Sequence, residues 1–164
     1  MPAASILTIS DTRSAGSRAD TTTAMMAEIL SEAGFEIADQ RLVPDEFDEI
    51  AGAIAELAAG VELVVTSGGT GLAPRDVTPE ATRSVLDREA PGFAEAMRVE
   101  TAKLQPLAYL SRAVAGQIGT TLVVNLPGNP KAVRQCLDVL VPMLPHAIKT
   151  STGGGETTHR AMES

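Results

Sequence analysis

Apolar residues fall in short blocks along the chain, and their spacing alternates between that of strands and that of helices. Ser5–Ser10 (SILTIS) is a compact apolar run ending in polar residues, which predicts a buried strand. Asp20 stands where a helix cap is needed. Met26, Ile29, Leu30 and Ala33 then share one helical face, and Gly34 stops the run. Glu36–Val43 predicts a second strand, and Asp45 opens a helix in which Phe47, Ile50, Ile54 and Leu57 face inward before Gly60. A third strand, ELVVTS, runs directly into glycines. Thr78-Pro79 predicts a helix start, because proline fits a first-turn position whose amide has no partner. This helix continues through Val85 and Leu86, with a break at Pro91-Gly92; Phe93, Ala96 and Met97 predict another amphipathic helix.

Ala108–Ala115 and Thr120–Asn125 read as two strands separated only by GQIG, which suits an antiparallel hairpin and is too short for a crossover. Asn129-Pro130 opens the last helix, with Val133, Cys136, Leu137, Leu140 and Leu144 inward and Pro142 bending it. Residues 151–164 hold three consecutive glycines and no apolar pattern, and are expected to form a disordered tail. The expected architecture is α/β: three layers, with a mostly parallel sheet between helices and a hairpin near the C-terminus. The chain of 164 residues fits one domain, spanning 1–150.

Composition narrows the partners. A net charge of −8 with three Phe, one Tyr and no Trp disfavours nucleic acid, which requires a cationic surface and aromatic platforms. No apolar stretch approaches the roughly 20 residues of a membrane-spanning helix. The N-terminus lacks the basic flank of a secretory leader, and a lone Cys136 cannot close an internal disulfide, so a reducing, cytoplasmic location is expected.

In such folds ligands bind beyond the carboxyl ends of the strands. Thr66–Pro79 (TSGGTGLAPRDVTP) places Gly68, Gly69 and Gly71 after the third strand, where a main chain without side chains can approach an anion. A tight strand-to-helix turn would explain one or two of these glycines but not the adjoining Arg75-Asp76. Neither a P-loop nor a dinucleotide fingerprint fits the spacing. Leu126–Lys131 (LPGNPK) follows the last strand; Asn129 is either a helix cap or, with Asn125, part of a pocket. Ser10–Asp20 (SDTRSAGSRAD) reads as a surface loop or a contact loop led by Ser10 and Asp11. Asp45 alone is a helix cap; paired with Asp76 across the same edge, it would suit Mg²⁺ beside a phosphate chain. Cys136 and the Met residues read as core, and His146 and His159 are too far apart for a zinc motif.

TSGGTGLAPRDVTPEAT, LSRAVAG followed by TLVVNLPGNPKAV, and LPHAI together resemble the molybdenum-cofactor family that includes Mog, MoaB and the gephyrin G domain. The resemblance spans roughly Ser5 to Lys149. It implies a three-layer α/β homotrimer that adenylylates molybdopterin with Mg-ATP, releases pyrophosphate and hands its product to a molybdenum insertase. Asp45 and Asp76 match the family's two functional aspartates and would hold Mg²⁺ and the ATP phosphates. Thr66, Ser67, Gly68, Gly69, Thr70, Gly71, Arg75 and Thr78 would line the nucleotide and pterin site. Ser111, Arg112, Asn125, Pro127, Gly128, Asn129 and Pro130 would hold the pterin and its phosphate, and Ser10 and Asp11 the first loop. The chain departs from the family in that loop, where Asp20 precedes three threonines in place of a Ser-Gly-Pro-like start. The alternatives are a catalytically silent molybdopterin carrier and, more distantly, a nucleotide pyrophosphatase-like hydrolase.

Overall fold

In the computed structural model, which describes residues 1–16 and 20–154, Ile6 and its neighbour Leu7 point to opposite faces of one sheet. Both are fully buried, so each face carries its own helical layer. The elements run in order as β1 (Ala3–Ile9), α1 (Asp11–Ser14), α2 (Thr22–Glu32), β2 (Glu36–Val43), α3 (Phe47–Leu57), β3 (Leu63–Ser67), α4 (Thr78–Val85), β4 (Arg88–Glu89) and α5 (Gly92–Ala102). A 3-10 helix (Pro106–Leu110), β5 (Ala115–Ile118), β6 (Thr121–Leu126), α6 (Pro130–Leu140), a 3-10 turn (Val141–Met143) and α7 (Leu144–Ser151) complete it.

The strand order is β2-β1-β3-β6-β5-β4. The first four of these are mutually parallel, and β5 and β4 form an antiparallel extension beside them. Ile6, Leu63, Val65, Leu122 and Val124 meet Met26 and Leu30 of α2, Met97 of α5, and Val133, Cys136, Leu137 and Leu140 of α6. On the other face Leu7, Ile9, Val64 and Val123 meet Ile50, Ala53, Ile54 and Leu57 of α3 and Ala81 of α4. The expected three-layer arrangement is therefore present.

Several local expectations are corrected. Ala108–Ala115 is not a strand: Pro106 starts a 3-10 helix capped by the Gln105 side chain, and the exposed Leu107 and Leu110 have no sheet neighbour to bury them. The hairpin is tighter, with Ile118 opposite Thr121 and only Gly119-Thr120 between them; Gly119 has φ +57°, as such a turn demands. Asp45 does not cap α3; Glu46 precedes its first residue, and the Asp45 carboxylate bonds elsewhere. Phe47 does not face inward: it is 41 % exposed, at the first position of α3 and one turn before the buried Ile50. α4 starts at Thr78-Pro79 as expected but ends at Val85, leaving Leu86 extended. Pro142 ends α6 in a 3-10 turn and α7 restarts at Leu144. The sequence reading missed the short α1 and the edge strand β4. Asp20 is not the cap residue of α2, which is Thr21; standing one residue earlier, its carboxylate still accepts from the Thr23 amide and hydroxyl. Of the expected tail, Ser151 closes α7, and residues 155–164 lie outside the described residues, as do 17–19 of the first loop.

Candidate active site

Because four neighbouring strands are parallel, their carboxyl ends share one edge. Register sets this edge: Ile9 lies opposite Val43, Thr8 opposite Ser67, and Ser67 opposite Leu126. The chain therefore leaves the sheet side by side at Ser10, Pro44, Gly68 and Pro127. The Ser10 amide still donates to the Val43 carbonyl, and the Gly68 amide to the Leu126 carbonyl.

Gly68 has φ +102°, and a β-carbon there would overlap the Ile9 carbonyl oxygen; Gly69 has φ +70°. A β-carbon on Gly69 would strike the Thr78 hydroxyl and come 3.1 Å from Asp45 Oδ1, and one on Gly71 would come 2.8 Å from Asp76 Oδ2. The space made by these missing side chains is thus occupied by two carboxylates and a hydroxyl. Among the described residues, the amides of Gly69, Thr70 and Gly71 donate no hydrogen bond, so the same short segment presents unpartnered N–H groups.

Asp11 and Asp45 grip each other reciprocally. The Asp11 amide donates to Asp45 Oδ2 (3.0 Å) and the Asp45 amide to Asp11 Oδ1 (2.9 Å). Arg75 donates to Asp11 through Nε (2.6 Å) and Nη2 (3.0 Å), and through Nη2 to Glu46 (2.9 Å). Hydrogen bonding from Arg75 holds the Asp11 carboxyl below the usual carboxylate range. Asp45 shifts the other way: burial raises it, and the neighbouring charges of Asp11 and Asp76 add to the rise. Folding thus favours the neutral form of Asp45, a penalty absent below the unfolded pKa of 3.8 and complete once pH exceeds the raised native value. Asp45→Asn is expected to raise the denaturation midpoint at pH 7 and to lose that gain as pH falls below about 4; urea titrations across pH measure it.

Behind the glycines opens a pocket of about 650 Å³. Its polar wall includes Thr70, Asp76, Ser111, Gly128, Asn129 and Lys131, and its apolar wall includes Met97, Leu104, Leu107, Leu110 and Cys136. Asn129 caps α6 by accepting from the Lys131 and Ala132 amides, with Pro130 as the first helical residue. No acidic partner of Lys131 occurs among the described residues.

Residues 5–146 match the family model described as "Probable molybdopterin binding domain". The chain belongs to the molybdopterin-binding family. It is 39 % identical over 152 residues to the molybdopterin adenylyltransferase of Helicobacter pylori J99, covering 90 % of this chain and 86 % of that protein. It is 40 % identical over 147 residues to the molybdenum cofactor synthesis protein cinnamon of Drosophila melanogaster, covering 87 % of this chain but only 24 % of cinnamon. The molybdopterin biosynthesis enzyme MoaB of Thermus thermophilus superposes with a TM-score of 0.88 at 50 % identity, covering 93 % of this chain and 98 % of MoaB.

The residues that resemblance to the molybdopterin-binding family singled out fall into three groups, with Asn125 in the first and the third. Gly69, Thr70, Gly71, Asp76, Ser111, Asn125, Pro127, Gly128 and Asn129 border the pocket. Ser10, Asp11, Asp45 and Arg75 form a network on the adjoining loops: Ser10 caps α1 through the Arg13 amide, and the others are joined as above. The third group is buried or committed to bonds within the chain. Asn125 donates to Thr66 and Thr82 and accepts from the Val114 amide, while Ser67 donates to the Pro127 carbonyl. Thr78 Oγ1 is buried without a hydrogen-bond partner among the described residues. Arg112 bonds the Gly71 carbonyl (2.8 Å), the Asp76 carbonyl (2.6 Å) and Glu80, strapping the glycine segment to α4. Pocket residues that the sequence reading missed lie on α5 and around the 3-10 helix, chiefly Arg98, Thr101, Leu104, Gln105 and Leu107. Gln105-Pro106 carried the same cap-and-proline signal as Asn129-Pro130.

Proposed function

We propose that this chain is a molybdopterin adenylyltransferase of molybdenum cofactor biosynthesis. The terminal phosphate of molybdopterin attacks the α-phosphorus of ATP, a new P–O–P link forms, and pyrophosphate leaves. The observation that carries this reading is the pair of carboxylates, Asp45 and Asp76, set against a glycine segment whose amides have no partner among the described residues, beside a pocket of about 650 Å³ that Asp76 lines. The relatives named adenylyltransferase match along most of their length, which supports it.

The residues fit Mg²⁺. Asp45 is raised by burial and by neighbouring acids, which leaves negative charge for a cation to compensate, and both aspartates offer the hard oxygen donors Mg²⁺ takes. No group of three or more His, Cys, Asp or Glu among the described residues is placed to hold a metal, so phosphate oxygens and water would complete the shell. When bound, Mg²⁺ would neutralise charge on the phosphates. The chain's own groups do the rest. The amides of Gly69, Thr70 and Gly71, and Lys131 at the start of α6, hold phosphate oxygens. The aliphatic wall of Met97, Leu104 and Leu107 receives ring systems and excludes water. Such transfer depends on positioning and charge neutralisation rather than on a protein nucleophile.

Purified protein mixed with Mg-ATP and molybdopterin is expected to yield adenylyl-molybdopterin and pyrophosphate. Protein that binds molybdopterin yet forms no product would overturn the proposal. The chain also acts as a homotrimer that passes its product to a molybdenum insertase. The exposed Leu72 and Tyr109, which do not line the pocket, support a contact surface, and light scattering should give three times the 17.0 kDa chain mass. No helix among the described residues is long and apolar enough to cross a membrane.

A further inference from the structure

Arg75 invites the reading of a phosphate-binding arginine, since it follows the glycine segment and is 56 % exposed. Its bonds argue otherwise. Nε and Nη2 engage both oxygens of Asp11, and Nη2 also engages Glu46, so two carboxylates surround one guanidinium. An incoming phosphate would meet local negative charge there. Lys131, in contrast, lines the pocket with no acidic partner among the described residues.

What Arg75 holds is more informative. The Asp11 carboxylate that it grips also accepts the Asp45 amide, and the Asp45 carboxylate accepts the Asp11 amide. Asp45 Oδ2 is fixed by that bond, which leaves Oδ1 turned to Gly69. Arg75 thus ties three loops together, those after β1, β2 and β3, with the Asp45 carboxylate at their junction.

We infer that Arg75 is a positioning residue: by clamping Asp11 it fixes the Asp45 carboxylate against the glycine segment, and it does not bind the phosphates of the substrate. For turnover, this rests on the adenylyltransferase reading. The clamp itself is a property of the free protein. A bidentate fork is required, and a lysine supplies only a point charge. Lysine therefore should not rescue the function, although it would largely rescue a phosphate contact made by charge.

The test compares Arg75→Gln, Arg75→Lys and Glu46→Gln with the parent chain. Hydrogen exchange of the ligand-free protein needs no turnover. In both Arg75 variants the Asp11 and Asp45 amides should exchange at least about tenfold faster, with the Val124 amide of β6 unchanged. Glu46→Gln leaves the Asp11 fork intact and should leave both amides protected. In the adenylylation assay both Arg75 variants should lower kcat about tenfold or more, with the KM for ATP within about twofold of the parent. Unchanged exchange at Asp11 and Asp45 overturns the clamp. A raised KM for ATP at unchanged kcat, restored by lysine, overturns the claim that Arg75 is not a phosphate ligand. If the parent chain forms no adenylyl product, the functional reading fails alone, because exchange still judges the clamp.

Discussion

Asp76→Ala is expected to slow formation of adenylyl-molybdopterin by about 10²–10³-fold, the scale on which enzymes lose a single group that meets transition-state charge. One feature sets Asp76 apart from Asp11, Asp45 and Glu46 at this edge: it lines the pocket, with its carboxylate against Gly71. That carboxylate accepts from the exposed Ala73 amide (3.1 Å) and, unlike those of Asp11 and Glu46, bonds no arginine among the described residues. Arg112 takes the Asp76 carbonyl and leaves the carboxylate charge in place. Removing that charge should spare the walls formed by α5 and α6, so molybdopterin affinity should stay within about threefold. Single-turnover rates and a direct binding titration separate the two quantities. A parallel loss of affinity would mean that Asp76 shapes the pocket instead of the chemistry.

Gly68→Ala should produce the largest loss of stability, about 2–4 kcal/mol, through two penalties that act together. The backbone at φ +102° is one that side-chain-bearing residues rarely adopt, and the added β-carbon would press on the Ile9 carbonyl oxygen. That oxygen belongs to the end of a central strand, not to a flexible side chain that could move aside. Relief requires shifting β1 or the glycine segment, and either movement displaces the candidate site. The midpoint of urea unfolding reports the loss. By comparison Gly52→Ala, in the middle of α3 with open space around it, should be neutral or stabilising.

Much of this could be read from the sequence, for reasons visible in particular residues. The short apolar runs in SILTIS and ELVVTS identified strands because both faces of the sheet are covered, and Met26 with Leu30 or Val133 with Leu137 identified helices by their spacing. The glycine segment and LPGNPK stood out because a close approach of main chain leaves few alternatives to glycine and proline. Two kinds of feature were hidden. The Ala108–Ala115 stretch begins with apolar residues that lie on the surface, and hydrophobicity alone does not say which residues are buried. The bonds of Asp11, Arg75 and Arg112 join residues tens of positions apart. A loop rich in Asp and Arg looks the same whether its charges face a ligand or one another, and only the register of β1, β2 and β3 decides. Asp45 shows the difference. Its sequence context is that of a helix cap, yet in the fold its carboxylate bonds across to the neighbouring loop.

The apolar pocket wall contains the chain's single cysteine, 6 % exposed on the inward face of α6. Burial pushes its thiol up to about 11, so at neutral pH Cys136 is almost wholly protonated and a poor nucleophile. The protein should therefore keep its thiol through ordinary handling in air. It also carries a built-in occupancy gauge: Cys136 lines the pocket, so a small thiol reagent entering there meets its side chain. Slower labelling in the presence of a candidate ligand would report that the pocket is filled, with no need for turnover or an added probe.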